Sequence, residues 1–212
     1  MGSTYKTMPL TQIPIAIFTL LALPALAWGQ EIPRHEIGLL LGILPKDNRL
    51  ASTTRLEFGP GTALQANYGF RLAGGSIAAL YAEVHLLASP QRGVTSSNLT
   101  LTRDVATLFL TPGLRVKFFP KYFIAPYAVV GGGWSVYEHS TTTLGGAANP
   151  APRTSTGSVF NIGGGVDVKV WKFIAGRAEV RSYDSPTPVF NSPFTTDNKR
   201  QLVASGGVVL RF

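Results

Sequence analysis

After Ala27 the chain never sustains the three-and-four apolar spacing of an amphipathic helix, but it alternates with a period of two again and again. That period sends successive side chains to opposite faces of a strand. In "ALQANYGFRL", Leu64, Ala66, Tyr68, Phe70 and Leu72 share one face, and Gln65, Asn67, Gly69 and Arg71 share the other. In "TLFLTPGLRVKF", Thr107, Thr111, Gly113, Arg115 and Lys117 oppose Leu108, Leu110, Leu114, Val116 and Phe118. "FNIGGGVDVKV" sets Asn161, Asp167 and Lys169 against Phe160, Ile162, Val166, Val168 and Val170. "IAGRAEVRSYD" sets Arg177, Glu179, Arg181 and Tyr183 against Ile174, Ala178 and Val180. The final stretch, Gln201 to Phe212, puts Leu202, Ala204, Val208, Leu210 and Phe212 on one face. Three more segments alternate with a weaker phase: Ile37 to Leu44, "LYAEVHL" with Glu83 and His85 on one side, and "YAVVGGGWSVY". The pattern predicts eight strands and no helix.

The connections decide what those strands build. Long Ser/Thr/Asn/Pro/Gly segments, Pro45 to Gly61, Ser89 to Asp104, Glu138 to Thr156 and Ser185 to Arg200, alternate with tight links at Ala73 to Ser76, Pro120 to Tyr122 and Trp171 to Lys172. Strict alternation requires antiparallel neighbours with every short turn at one end. A soluble sandwich has no reason to sort its loops this way, whereas a membrane barrel does. In such a barrel the apolar face meets lipid and the polar face lines the lumen. Phe118, Phe119, Tyr122, Phe123, Trp171, Phe173 and Phe212 gather at the short-turn end, as an interfacial aromatic girdle would. Strands of about 10 to 13 residues at ~3.3 Å each, tilted near 40°, are long enough to cross a bilayer core.

The first residues agree with an exported protein. Lys6 precedes the apolar run Ile13 to Ala27, which is broken by Pro14 and Pro24 and closes on Ala25, Leu26, Ala27. A membrane helix needs about 20 apolar residues, so this shorter run is expected to be a cleaved signal peptide, 1–27. Cleavage after Gly29 is the other option, and the barrel domain is expected over 28–212. Charged residues make up 14% of the chain, against ~25% for a typical globular domain, and there is no cysteine. An exported fold without cysteine is held without disulfides. The net charge is +8, falls to +7 once Lys6 is removed, and is spread along the chain. That spread disfavours nucleic acid as a partner and favours anionic lipid or lipopolysaccharide.

"LTPGLRVKF", "FIAPYAVVGGGW", "RAEVRSYD" and the terminal "GVVLRF" resemble the superfamily of small eight-stranded outer-membrane barrels that includes the OmpA, OmpX and opacity-type proteins. The resemblance covers essentially all of 28–212. It implies an all-β, eight-stranded antiparallel up-and-down transmembrane β-barrel in a bacterial outer membrane, with both termini periplasmic. It also implies periplasmic chaperones and the barrel-assembly machinery as partners during biogenesis, the latter reading Gly207, Leu210 and Phe212. The pattern departs at Gly206, where the family signal prefers a polar residue.

Function is expected from the lumen and the loops. Eight strands enclose a space just wide enough to be filled by side chains. The alternation points Arg71, Arg115, Lys117, Lys169, Arg177 and Arg181 into it, together with Glu83, Asp167 and Glu179. Glu179 lies two residues from both Arg177 and Arg181, with Lys169 in reach from the neighbouring strand. Either these charges pair into a plug, or they line a narrow anion-preferring channel.

A lipid A-modifying enzyme is the remaining alternative. "YEHS", Tyr137 to Ser140, offers His139 and Ser140 near the loop rim, but adjacent strand residues point apart. His35 and His85 read as structural, and no cluster has metal-ligand spacing. The triplets Gly131–Gly133 and Gly163–Gly165 are not phosphate loops, because no helix follows either. The expectation is a monomeric, non-enzymatic barrel without cofactor, acting structurally or through contacts made by its long loops.

Overall fold

The computed structural model describes residues 32–51, 54–186 and 199–212. The expected signal peptide, both of its cleavage options and most of the connection Ser185 to Arg200 lie outside them. The described residues form ten strands and no helix: β1 (His35–Leu44), β2 (Asp47–Ala51), β3 (Thr54–Phe58), β4 (Gly61–Gly74), β5 (Ala78–Ser96), β6 (Asp104–Phe118), β7 (Ile124–His139), β8 (Thr154–Lys169), β9 (Ile174–Ser185) and β10 (Lys199–Arg211).

Eight of them close into a ring. Neighbours run β1, β4, β5, β6, β7, β8, β9, β10, every pair is antiparallel, and β10 returns to β1 in the register Leu40↔Gly207 and Glu36↔Arg211. The closing seam reaches the last residue. The His35 amide donates to the Phe212 carbonyl at 2.7 Å, and the Phe212 amide donates to the His35 carbonyl at 3.0 Å. A ring leaves no unpaired sheet edge, which is the condition for strands to stand in hydrocarbon.

The outward face explains which solvent the ring suits. Leu39, Leu41 and Ile43 on β1, Leu64 and Tyr68 on β4, Val84 and Leu86 on β5, and Ile162 on β8 are all exposed. Along the outward positions of all eight strands, charged side chains occur only near the long-loop rim, at Asp104, Glu138, Asp184 and Arg200. We call that rim the loop end and the opposite one, where the short connections lie, the turn end. Phe118, Phe119, Tyr122, Phe123, Trp171 and Phe173 are exposed together at the turn end. Phe212 stacks there on the His35 ring, with centroids 5.5 Å apart.

Two expectations of strand and loop need correcting. Pro45 to Gly61 is not an open loop, because β2 and β3 form a hairpin within it. Ser89 to Asp104 is not one either, since β5 runs on to Ser96 and pairs Val94–Ser96 with Leu56–Phe58 of β3. The barrel strands span 10 to 19 residues, longer at the upper limit than the alternation alone indicates. Proline and serine break the apolar count at Ser89–Pro90, but there the ladder only shifts register, between Ser89 and Arg92, and resumes.

Candidate functional site

Among the described residues the lumen is where chemistry-bearing side chains converge, and it has two parts. In the half nearer the turn end, Arg115 and Lys117 of β6, Arg177 and Arg181 of β9 and Arg211 of β10 meet Glu36 of β1, Glu83 of β5, Asp167 of β8 and Glu179 of β9. Glu36 accepts from Arg115 at 2.8 Å, Lys117 at 2.5 Å and Arg177 at 3.3 Å, and Arg211 Nε lies 3.6 Å away. Asp167 takes Lys117 at 2.6 Å and the Arg177 fork at 2.6 and 2.8 Å. Glu83 bridges Arg181 at 2.6 Å and Arg115 at 3.2 Å. Glu179 binds the Arg181 fork at 2.6 and 2.7 Å and accepts from the Tyr127 hydroxyl at 2.6 Å. Paired forks of this kind hold both partners in one geometry.

Aromatic rings and glycines make the space. The guanidinium of Arg177 lies 4.8 Å from the Tyr127 ring centroid, and that of Arg115 lies 5.0 Å from the Tyr81 centroid. Each cation thus has a π face on one side and a carboxylate on the other. Gly69 is needed where it stands, because a Cβ there would run into the Arg115 guanidinium. Gly165 likewise leaves room for the Tyr127 hydroxyl, 2.6 Å from where its Cβ would be. Within the triplet Gly163–Gly165, then, one of the two inward glycines, Gly165, accommodates a ring, not a phosphate.

Two cations assigned to the network by the alternation lie at its edge instead. Lys169 Nζ donates to the Lys121 carbonyl at 2.8 Å, and Arg71 donates to the Ile32 carbonyl. Each sits toward the turn end of its strand, within reach of a carbonyl outside the strands, in the β6–β7 turn for Lys169 and in the segment before β1 for Arg71. Lys169 therefore does not serve Glu179, and Arg177 turns away from Glu179 to Asp167 and Glu36. Glu36 and Arg211 are the two members that sequence reasoning missed. Glu36 shares parity with the inward Gly38 and Gly42 of β1, and Arg211 with the inward Val203 and Val209 of β10. That parity was the available signal for both.

The half nearer the loop end departs further from a uniformly polar lumen. Leu44, Leu56, Phe58, Ala63, Leu87, Val94, Leu101, Val105, Phe109, Tyr137, Val159, Tyr183 and Val203 form one buried apolar cluster. Leu56 and Phe58 come from the β3 hairpin and Leu101 from the β5–β6 connection, with Leu144 of the β7–β8 connection packed against them. Tyr183 marks the boundary, bonding His85 Nε2 at 2.8 Å and lying 5.3 Å from the Phe109 ring.

The connections above the cluster are tied together. Leu144 N donates to Leu101 O at 2.8 Å, and the Asn149 side chain donates to Thr102 Oγ1 at 3.0 Å. Ser140 Oγ donates to the Thr142 carbonyl at 2.6 Å and accepts from the Arg103 amide at 3.1 Å. Its proton is therefore directed to a carbonyl, away from a base. His139 is buried at the rim. Among the described residues no cluster of His, Cys, Asp or Glu could hold a metal ion.

The barrel and its filled interior can be set beside known proteins. No family model matches the sequence, and no curated protein does. Among solved structures, Neisserial surface protein A matches with a TM-score of 0.56 and 15% identity over 84% of this chain and 97% of that one. The outer membrane protein OprG from Pseudomonas aeruginosa matches with a TM-score of 0.57 and 13% identity over 86% of this chain and 98% of that one. At these identities the likeness is one of fold: the chain has the eight-stranded antiparallel β-barrel architecture of the small outer-membrane proteins.

Proposed function

We propose that the protein is a non-enzymatic outer-membrane barrel with a closed lumen, whose role is structural or rests on contacts made by its loop end. The observation that carries this reading is the filling of the interior by two seals in series. A layer of mutually paired charges is followed by an apolar cluster to which the loops themselves contribute. A conducting pore needs a continuous wet path lined by charges that an ion can borrow. Here the carboxylates already hold guanidinium and ammonium groups, and beyond them the apolar cluster fills the lumen beside buried Gln65, Ser89, Arg92, Ser135 and Gln201.

The membrane assignment is supported by an outward face that carries charge only near the loop rim and by the exposed aromatics at the turn end. On this reading the leader is removed on export, both termini are periplasmic and the loops face the outside. Gly207, Leu210 and Phe212 then act as the assembly signal on the closing strand.

The deciding experiment is planar-bilayer conductance of refolded protein. Closed-lumen protein gives the bare-membrane baseline. Stable ohmic steps with anion preference would replace this reading with the narrow channel.

A further inference from the structure

The two rims treat their surface charges differently. At the loop end three exposed cations have carboxylate partners: Lys46 with Glu57 at 2.7 Å, Arg103 with Asp104 at 3.1 Å and Arg153 with Glu138 at 2.6 Å. At the turn end, residues 32–34, 75–77, 119–123 and 170–173 hold Arg34, Lys121 and Lys172 and no acidic side chain. All three cations are exposed, and among the described residues none is in an ion pair. The ring contacts of two of them leave the charge uncancelled. Arg34 lies over the Phe70 ring at 5.3 Å and Lys172 over the Phe173 ring at 5.3 Å. Lys169 and Arg71, just behind, rest on neutral carbonyls and add to the same field.

Phe119, Tyr122, Phe123, Trp171 and Phe173 occupy the same turns and are exposed. Aromatic rings of this kind settle at headgroup depth. They would hold the neighbouring Lys121 and Lys172 at the level of lipid phosphates. We propose that this rim recruits anionic phospholipid, with headgroup phosphates meeting Arg34, Lys121 and Lys172. The proposal rests on the membrane reading given above. A surface cation next to anionic lipid gains about 1 kcal/mol, which is about a fivefold local preference, and salt screens it.

Trp171 is a built-in reporter at this rim, and Trp134, outward on β7 toward the loop end, is the internal control. The experiment uses W28F/W134F and W28F/W171F proteins in vesicles of equal phosphatidylglycerol and phosphatidylcholine, with one lipid or the other brominated to quench tryptophan. At low salt, brominated phosphatidylglycerol is expected to quench Trp171 two- to fivefold more effectively than brominated phosphatidylcholine. Trp134 is expected to show no preference. Adding 0.5 M NaCl, or the substitutions R34Q/K121Q/K172Q, should bring Trp171 to parity. The salt arm needs no variant and so does not depend on folding. Equal quenching of Trp171 at low salt would overturn the proposal, as would a preference that survives both salt and the triple substitution. If neither brominated lipid quenched either tryptophan, the barrel would not be in the bilayer, and the membrane reading would fall first.

Discussion

At the turn end the lumen is filled by five cations and four carboxylates, whereas a few residues farther along the same strands it is filled by leucine, valine, phenylalanine and tyrosine. Both fillings close the barrel, but they do so by different physics. The charged half depends on every long side chain finding its partner, because an unpaired ion in a dry interior is very costly. The apolar half depends on volume, and its energy comes from area removed from water and from close packing. A membrane barrel therefore need not be an inverted soluble protein throughout. Its outer face is inverted, while half of its interior is an ordinary hydrophobic core, completed by the β2–β3 hairpin and by two loops.

Charge removal in the first half is the largest lever on this comparison. Glu36→Gln leaves Arg115, Lys117, Arg177 and Arg211 with one carboxylate fewer among them. Breaking a buried pair costs about 3 to 5 kcal/mol. Urea unfolding in lipid vesicles should show a loss of that size, little changed by 0.5 M salt, since buried pairs are screened weakly. A loss near the ~1 kcal/mol of exposed pairs would mean a wet lumen and would erase the contrast between the halves.

The second lever is a cavity in the apolar half. Leu87 is fully buried in that cluster, and Leu87→Ala should cost about 2 to 4 kcal/mol through lost transfer energy and the void left behind. The same unfolding assay reads it. Conductance should stay at baseline, because the charged layer still seals the barrel. A channel opened by Leu87→Ala alone would show that the apolar plug is the true gate and the charged layer is permeable.

These two sites also show what the sequence made legible. The count of barrel strands and the inward parity of Arg115, Lys117, Asp167, Arg177, Glu179 and Arg181 follow from a period of two, which is robust wherever a strand has one greasy and one polar face, and the antiparallel order follows from the alternation of long and short connections. Glu36 was missed because the alternation traced in β1 covers only Ile37 to Leu44, where glycine and leucine carry no polar marker, and the strand in fact begins at His35. With Glu36 and Arg211 omitted and Lys169 and Arg71 included, the lumen looks strongly cationic. The structure brings it nearly into balance. The apolar half was hidden for a different reason. Leu56, Phe58 and Leu101 belong to connections, and no periodicity tells a loop residue that folds back into the lumen from one that faces water. Polar composition suggested open loops, yet a few large apolar residues within them decide the packing.

Glu179→Gln tests the charged half from its less crowded side. Arg181 would keep Glu83 at 2.6 Å, so the variant weakens one fork without stranding a cation entirely. A hydrogen bond to a charged group contributes about 1.5 to 3 kcal/mol, and the expected loss lies in that range. It should be smaller than for Glu36→Gln. The opposite order would place the centre of the network on β9 instead of β1.

The smallest effect is expected outside the barrel, where charge meets water. Glu138 and Arg153 form a fork at 2.6 and 3.0 Å, as short as most pairs in the lumen, but both side chains are more than half exposed. Geometry alone would rank this pair with Asp167 and Arg177. Solvent changes the ranking, because water solvates both ions when they separate and salt screens them when they meet. Glu138→Gln should therefore lower the unfolding free energy by no more than about 0.5 kcal/mol at low salt and by nothing measurable at 0.5 M salt. The measurement is the same urea titration at two salt concentrations, run beside Glu36→Gln. Near-equal losses for the two variants would mean that burial is not what separates lumen from rim. A Glu138→Gln loss above about 1 kcal/mol that persists in salt would put the β7–β8 connection in a low-dielectric setting. It would then be part of the plug, with Leu144 and Leu101, and not a solvated surface available for contacts.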